Sequence, residues 1–254
     1  MGRFEVAVIG AGIAGASAAY EMAANRSVLL LEREAQPGYY TTGRSAALFS
    51  ETYGNAIILG LTMGSRDFYK HSPPGFASVP LLTPRGAILL ARPDQMARLA
   101  AWVDRVRPIV PSVALLDAAG TLRQIPLLRS SYLAGGMAEP EAMDNDVNAL
   151  HEGFLRGARV RGAAVATSAE LLGLHRDGPG WHVHTAAGDW QAENVVNAAG
   201  AWADIVAAMT GAIPCSLMPM RRTALTVDLA ALGVTAGALA PGRPDLHPAQ
   251  EQAA

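Results

Sequence analysis

Hydrophobic positions near the N-terminus follow the order of a buried strand, a glycine-rich turn, a helix and a second strand. Residues 4–9 (FEVAVI) are almost all β-formers, which is typical of a parallel strand covered on both faces. Helix formers follow over 16–24, and 27–32 (SVLLLE) predicts the second strand. A signal peptide is the alternative for this segment, but secretion does not require glycines at fixed spacing. The apolar run is also shorter than the roughly 20 residues of a membrane span.

The turn after the first strand, Gly10-Ala11-Gly12-Ile13-Ala14-Gly15, has the G-x-G-x-x-G pattern of dinucleotide-binding folds. Gly10 makes the turn, Gly12 lets a pyrophosphate approach the backbone, and Gly15 lets the helix pack closely on the strand. The phosphates would lie at the positive end of the helix, where free N–H groups point at them. Glu32 ends the second strand about 20 residues downstream, where a carboxylate binds a ribose diol. An acid there favours FAD or NAD over NADP.

The segment after Glu32 favours FAD over NAD. A nicotinamide enzyme usually continues with a helix and a third parallel strand. Here Pro37-Gly38 breaks the chain into a loop instead. Gly43, Arg44 and Ser45 then offer N–H groups, a guanidinium and a hydroxyl, which suit a second contact with a diphosphate.

Four stretches carry a family resemblance: residues 32–34 with 42–47, 80–85, 149–157 and 195–202. Together they resemble the D-amino-acid oxidase superfamily of FAD-dependent amine oxidoreductases, and within it the bacterial D-arginine dehydrogenases. The likeness covers about residues 4–233. It implies an α/β fold in which a Rossmann-like FAD-binding domain is intertwined with an α+β substrate domain that is incomplete at the C-terminus. The implied boundaries are 1–50 and 145–215 for the FAD-binding domain, 51–144 and 216–233 for the substrate domain, and 234–254 for an unmatched tail.

The resemblance also implies which residues meet the substrate and the cofactor. Arg222 aligns with an arginine that binds the substrate carboxylate, and Tyr53 aligns with a substrate-facing tyrosine. The alternatives are an ordinary surface arginine and an ordinary loop tyrosine. Leu171 stands where backbone groups contact the adenine ring. The expected cofactor-binding residues are Gly10, Gly12, Ala14, Gly15, Glu32, Arg33, Thr41, Thr42, Gly43, Arg44, Ser45, Ala46, Ala47, Leu48, Leu171, Ala199 and Gly200.

Two departures from the D-arginine dehydrogenase pattern bear on the substrate. Leu48 replaces a histidine near the flavin, and Ala87 replaces a glutamate that pairs with the guanidinium of the substrate. Because burying an unpaired guanidinium costs several kcal/mol, the preference for arginine is not expected to carry over. We predict a neutral or apolar D-amino acid, or another secondary amine.

Composition excludes several other classes of protein. Half of the 254 residues are hydrophobic and the formal net charge is −2, which disfavours both disorder and a nucleic-acid partner. The single cysteine, Cys215, excludes a disulfide framework and a thiolate-built metal site. His182 and His184 leave the same face of a predicted strand, but the sequence shows no third ligand. We therefore expect an exposed polar face there and no metal.

Several functions remain open at this point. They are an FAD-dependent D-amino-acid dehydrogenase, a flavin oxidase of the glycine or sarcosine type, and a non-catalytic flavin-binding remnant. An NAD dehydrogenase is disfavoured. The electron acceptor, a quinone or oxygen, is open, and the expected location is the cytoplasm, with the face of the inner membrane as the alternative and no membrane span. The likeness fades after residues 225–234 into an Ala/Pro/Gly-rich tail, so we expect a truncated or frame-shifted product.

Overall fold

A computed structural model describes residues Gly2–Met220, together with Asp228, Ala230 and Ala231. Those residues form twelve strands and six α-helices. In chain order the strands are β1 (Gly2–Ile9), β2 (Val28–Leu31), β3 (Leu48–Phe49), β4 (Leu82–Pro84), β5 (Ala87–Ala91), β6 (Ala114–Asp117), β7 (Gly135–Glu139), β8 (Met143–Asn145), β9 (Ala164–Ala166), β10 (Leu171–Asp177), β11 (Gly180–Thr185) and β12 (Gly188–Asn197). The helices are α1 (Ile13–Met22), α2 (Ala56–Lys70), α3 (Met96–Val106), α4 (Ala118–Gln124), α5 (Val147–Val160) and α6 (Ala203–Thr210). In the part of the chain that is described, none of these helices is long and apolar enough to cross a membrane.

The chain divides into two compact units. Among the described residues, the first unit contains 2–46, 72–81 and 146–220, and the second contains 47–71 and 82–145 together with 228, 230 and 231. Residues 47–50 and 145 therefore group with the second unit, and 72–81 and 216–220 with the first, which differs from the boundaries that the resemblance implies. The assignment of these units to FAD binding and substrate binding stays a prediction.

The first unit is built on a six-stranded sheet with the order β10-β11-β12-β1-β2-β9. Strand β1 pairs in parallel with β12 and β2, and β2 pairs in parallel with β9. The β10–β11–β12 segment is antiparallel. The predicted strand–turn–helix–strand unit is confirmed as β1, α1 and β2. This topology is the mixed parallel sheet of the predicted α/β fold.

The central strands are buried on both faces because helices cover both sides of the sheet. Every residue of β2 is at most 1% exposed. Ile9 and Leu31 belong to the core cluster that includes Val206 of α6. The neighbouring residues in each strand point to the opposite face, where α1 contacts both β1 and β2 and packs on α5. The near-continuous apolar sequence of these strands follows from this double coverage.

Residues 72–81 join the first unit through an aromatic cluster. Phe76 is buried, and its ring lies 5.8 Å from the ring of Tyr20 in α1 and 5.0 Å from that of Phe154 in α5. Both contacts are edge-to-face, which is a favoured arrangement of aromatic rings. The guanidinium of Arg156 also donates to the carbonyl of Gly75 at 3.1 Å. The segment is thus fixed between two helices although its sequence has no helical or strand pattern.

The second unit contains two three-stranded antiparallel sheets, with the orders β3-β8-β4 and β5-β7-β6. Helix α3 covers the second of these sheets. Its apolar side chains Leu99, Val103 and Val106 form one buried cluster with Met137 of β7. The other face of α3 carries charged side chains, as expected for a helix that packs on a sheet with one face only.

We predict that Leu30→Ala lowers the free energy of unfolding by about 2–5 kcal/mol, because Leu30 is 0% exposed in the centre of the parallel sheet. Leu172→Ala is the matched control, because Leu172 is 53% exposed at the start of β10. Denaturant unfolding followed by circular dichroism measures both. Equal losses of stability in the two variants would contradict this account of the core.

Candidate cofactor site

A cavity of about 440 Å³ opens at the carboxyl edge of the parallel strands in the first unit. Strands β1, β2 and β12 all end there, and β1 lies between its two parallel neighbours, β12 and β2. Open α/β sheets bind ligands at such a point, because connections to opposite sides leave a crevice between them. The cavity is lined by Ile9, Gly10, Gly12, Ile13, Ala14, Leu31, Glu32, Arg33, Gly38, Tyr39, Tyr40, Thr41, Thr42, Ala169, Glu170, Leu171, Ala198, Ala199, Gly200, Ala201, Trp202, Ile205, Val206 and Met209.

The turn between β1 and α1 lines the cavity. Two positions of this turn can be occupied only by glycine. Gly10 has a φ of +98°, and a Cβ atom there would lie 2.6 Å from the carbonyl oxygen of Ala198. A Cβ atom on Gly15 would overlap the carbonyl oxygen of Gly10. Helix α1 therefore begins in direct contact with the end of β1, as the spacing of the glycines predicts.

The N-terminus of α1 faces the cavity together with a hydroxyl group. The Ile13 N–H donates to Thr42 Oγ1 at 2.9 Å. A Cβ atom on Gly12 would lie 3.2 Å from the same oxygen and, apart from Gly12 and its two neighbours in the chain, would have no other described residue within 4 Å. Exposed N–H groups at a helix N-terminus attract anions. Gly12 and Thr42 thus leave an open, polar place for a phosphate group at this end of the cavity.

Glu32 also lines the cavity, and it is held against the glycine-rich turn. It is only 7% exposed, although it is charged. Its Oε2 accepts from the Ala11 N–H and its Oε1 accepts from the Glu34 N–H, both at 3.0 Å. A carboxylate oxygen has two acceptor sites, so each oxygen retains one. The carboxylate can therefore accept hydrogen bonds from a diol in the cavity while it holds the glycine-rich turn against β2.

An aromatic and charged wall stands beside Glu32, and the sequence predicted only one of its members. The guanidinium of Arg33 lies 4.9 Å from the ring of Trp202 and 3.3 Å from Glu34 Oε1. The Tyr40 hydroxyl donates to Glu34 Oε1 at 2.7 Å, and its ring lies 4.6 Å from that of Trp202. The hydrogen bond to Glu34 is the main reason that the pKa of Tyr40 is raised. Trp202 lies 169 residues after Arg33 in the sequence, which gives no local signal of this contact.

His151 supports the site from α5, and sequence reasoning found nothing to distinguish it. The side chain is buried, and its Nε2–H donates to the carbonyl of Ala11 at 2.7 Å. A Cβ atom on Gly38 would lie 2.8 Å from the His151 ring. One imidazole therefore contacts both the glycine-rich turn and the Pro37-Gly38 turn. The side chain of Asp146 caps the N-terminus of α5, and the helix that begins there places His151 beside these two turns.

The structure brings together many of the predicted cofactor residues. Those that line the cavity are Gly10, Gly12, Ala14, Glu32, Arg33, Thr41, Thr42, Leu171, Ala199 and Gly200.

Other predicted residues do not line this cavity. Gly15 is buried beneath the turn, and Gly43, Arg44, Ser45 and Ala46 lie beside it without contributing to its lining. The Arg44 Nε donates instead to the carbonyl of Tyr39 at 3.2 Å. Ala47, Leu48 and Tyr53 belong to the second unit, where Leu48 is 43% and Tyr53 62% exposed. Arg222 lies outside the described residues.

The two histidines on β11 both face one carboxylate. His184 Nδ1 lies 2.5 Å from Asp189 Oδ1, and His182 Nε2 lies 3.6 Å from Asp189 Oδ2. The hydrogen bond with His184 is the main cause of the lowered pKa of Asp189. Over the described residues, no group of three or more His, Cys, Asp or Glu side chains is arranged to hold a metal ion.

Comparison with known proteins adds a family to this geometry. Residues 5–249 match the model of the family described as DAO, FAD dependent oxidoreductase. The chain belongs to this family. The predicted superfamily and its cofactor, FAD, are thereby confirmed. The narrower likeness to D-arginine dehydrogenases stays a prediction.

Two similar DAO-family proteins have names that refer to small amino acids. The human mitochondrial dimethylglycine dehydrogenase is 28% identical over 214 residues, which are 82% of this chain and 24% of that protein. The glycine oxidase of Geobacillus kaustophilus (strain HTA426) is 27% identical over 233 residues, which are 86% of this chain and 60% of that protein. The crystal structure of glycine oxidase from Geobacillus kaustophilus matches with a TM-score of 0.71 and 25% identity, over 82% of this chain and 58% of that one. The chain thus spans well under two thirds of the length of these relatives.

We predict that Tyr40 ionises above its ordinary pKa of 10.0 and that Glu34→Gln lowers the pKa again. A raised pKa means that the hydrogen bond stabilises the fold fully below about pH 10 and is lost as the pH rises through the pKa of Tyr40. Absorbance of the phenolate during an alkaline titration measures this pKa. Because burial also raises the pKa of Tyr69, Tyr40→Phe is needed to assign the signal. The difference between the titrations of the unmodified protein and Tyr40→Phe isolates the Tyr40 phenol, and a midpoint at or below about pH 10 in this difference would contradict the prediction.

Proposed function

We propose that this chain binds FAD in the cavity of the first unit and takes part in oxidising a small amino acid at a carbon–nitrogen bond. The observation that carries the proposal is the combination of groups that line the cavity. The N-terminus of α1 and Thr42 line it together with the Glu32 carboxylate, which is hydrogen-bonded to the turn between β1 and α1. These groups match the pyrophosphate and the ribose of an adenine dinucleotide.

The residues present fit the adenosine diphosphate half of FAD. The space left by Gly12 beside Thr42 would hold the pyrophosphate, and the free acceptor sites of Glu32 would bind the ribose hydroxyls. A 2′-phosphate would meet this buried carboxylate with like charge, which supports FAD over a phosphorylated dinucleotide. Leu171 and Arg33, which also line the cavity, are the candidates for contact with the adenine ring.

Bound FAD supplies the acceptor for the hydride that leaves the carbon next to the amine. The protein then needs no nucleophilic side chain, and its contribution is to hold the substrate in place. In this proposal the Arg222 guanidinium binds the substrate carboxylate, because a planar fork of N–H donors matches its two oxygens. Tyr53, which precedes α2 in the second unit, faces the substrate.

The proposed substrate has no charged side chain. Position 87, where D-arginine dehydrogenases have a glutamate, is alanine, and Leu48 replaces a histidine. The names of the relatives, glycine oxidase and dimethylglycine dehydrogenase, agree with a small substrate. A neutral D-amino acid is the choice that follows from the resemblance in sequence. Glycine or an N-methylated glycine is the alternative that follows from the relatives.

Anaerobic addition of amines to the FAD-loaded protein tests the proposal. Bleaching of the visible flavin bands by D-leucine or D-alanine would support the D-amino acid, and bleaching by glycine or sarcosine alone would support the alternative. Flavin bands that no amine bleaches would indicate a non-catalytic remnant. A protein that takes up no FAD would contradict the proposal as a whole.

We predict that Gly12→Val abolishes retention of FAD and leaves the fold intact. The new side chain would occupy the place of the pyrophosphate, and its Cβ atom would meet only Thr42 Oγ1 beyond the neighbouring residues of the chain. The flavin-to-protein absorbance ratio after gel filtration and a circular dichroism spectrum measure the two effects. Gly64→Ala is the control, because a Cβ atom there meets nothing within 4 Å. Normal flavin content in Gly12→Val would rule out this turn as the phosphate site.

We predict that Ala87→Glu raises kcat/KM for D-arginine relative to D-leucine by about ten- to a hundredfold in the FAD-loaded protein. A hydrogen bond to a charged group contributes about 1.5–3 kcal/mol, and 1.36 kcal/mol corresponds to about a factor of ten. Position 87 pairs with Glu139 across β5 and β7, so the added carboxylate should lower Tm until the guanidinium binds. The rate of anaerobic flavin reduction measures the ratio. The control is Ala114→Glu, at an exposed position on β6. An unchanged ratio would show that position 87 does not face the substrate.

A further inference from the structure

Glu139 is a buried carboxylate in the second unit that the proposed reaction does not use. It ends β7 and is only 4% exposed. Its Oε2 accepts hydrogen bonds from the hydroxyls of Ser50 at 2.7 Å and Thr52 at 2.6 Å. Its Oε1 accepts from the Glu51 N–H at 3.0 Å. All three donors come from consecutive residues of the chain.

Those three residues form the turn between β3 and α2, where no sheet or helix satisfies the polar groups. Buried N–H and hydroxyl groups need partners, and Ser50, Glu51 and Thr52 are all at most 9% exposed. A carboxylate with two oxygens can accept from three donors at once. An apolar side chain at 139 would leave all three without this acceptor. Burial of an acid is costly, so packing alone does not account for a glutamate here.

The rest of the turn is fixed from α2. Arg66 Nε donates to Glu51 Oε1 at 2.7 Å, which ties the middle of α2 back to the turn. Asn55 caps the helix, and its Oδ1 accepts from the N–H groups of Ile57 and Ile58. Tyr53 stands between the residues held by Glu139 and the capping residue Asn55. Its own side chain is 62% exposed.

We propose that Glu139 is a positioning residue, which fixes the 50–52 turn and thereby the direction in which Tyr53 is presented to the substrate. This inference rests on the proposed function, in which Tyr53 faces the substrate. The register of the sheet supports it, because Glu139 pairs directly with Ala87. Directly paired residues in neighbouring strands project from the same face. Glu139, which holds the turn before Tyr53, is therefore adjacent to position 87, to which the proposed function assigns the choice of substrate.

The first measurement follows Tyr53 itself and needs no activity. With 3-fluorotyrosine at position 53, the ¹⁹F spectrum should show one resonance in the otherwise unchanged protein. Glu139→Gln should shift or split this resonance and speed amide hydrogen exchange in the peptide covering 50–58. Glu139→Leu should have both effects more strongly. If the leucine variant does not fold, Glu139→Gln alone tests the inference. Glu141→Gln is the matched control, because Glu141 is exposed two residues further along the chain. An unchanged resonance and unchanged exchange in Glu139→Gln would overturn the inference.

The second measurement asks whether Glu139 affects the reaction through Tyr53. We expect Glu139→Gln to raise KM for the amine about tenfold, within the range of coupling between neighbouring residues, and to change kcat less than about threefold. The same substitution in a Tyr53→Phe background should then have little further effect. Equal effects of Glu139→Gln in both backgrounds would overturn the inference.

Failure of the proposed function has a different signature. If no amine bleaches the flavin of the unmodified protein, or if Tyr53→Phe leaves KM unchanged, the substrate role of Tyr53 is wrong. The ¹⁹F and exchange measurements still decide whether Glu139 fixes the turn. The two failures therefore give different combinations of results.

Discussion

The contact between the N-terminus of α1 and the end of β1 is the constraint on which the cofactor site depends. Gly15 packs directly on the carbonyl of Gly10, and Gly10 itself needs a left-handed backbone. Any side chain at either position would push α1 away from the sheet. The helix N-terminus would then no longer face the cavity, and the N–H groups that can bind a phosphate would point elsewhere.

The remaining walls of the site depend on buried polar groups that hold this turn in place. Glu32, the residue after β2, binds the Ala11 N–H, while His151 binds the Ala11 carbonyl from α5. Both backbone groups of one residue are thus satisfied by side chains from different elements. Such groups are costly when buried without partners, so Glu32 and His151 both stabilise the turn, and Glu32 also lines the cavity. The same carboxylate serves the fold and remains available to a ligand.

In the second unit, too, a buried carboxylate holds an irregular turn in place. Glu139 binds three consecutive donors of the segment between β3 and α2, and Arg66 binds the acid in the middle of that segment. In both units a buried carboxylate at the end of a strand fixes an irregular segment that carries candidate functional residues. A rigid strand end positions such a segment more accurately than loop contacts alone, because its own backbone is held by the sheet.

The sequence by itself determined the elements around the cofactor site, because their signals are local. The alternation of apolar runs, the glycine spacing at 10, 12 and 15, and the acid at Glu32 all depend on neighbours along the chain. Only the tertiary structure decided which distant residues complete the site. His151 binds the glycine-rich turn from α5, Trp202 reaches the cavity from the segment after β12, and Glu139 meets Ser50 from 89 residues away. Nothing in the local sequence of a histidine, a tryptophan or a glutamate encodes such contacts, because the packing of separate elements creates them.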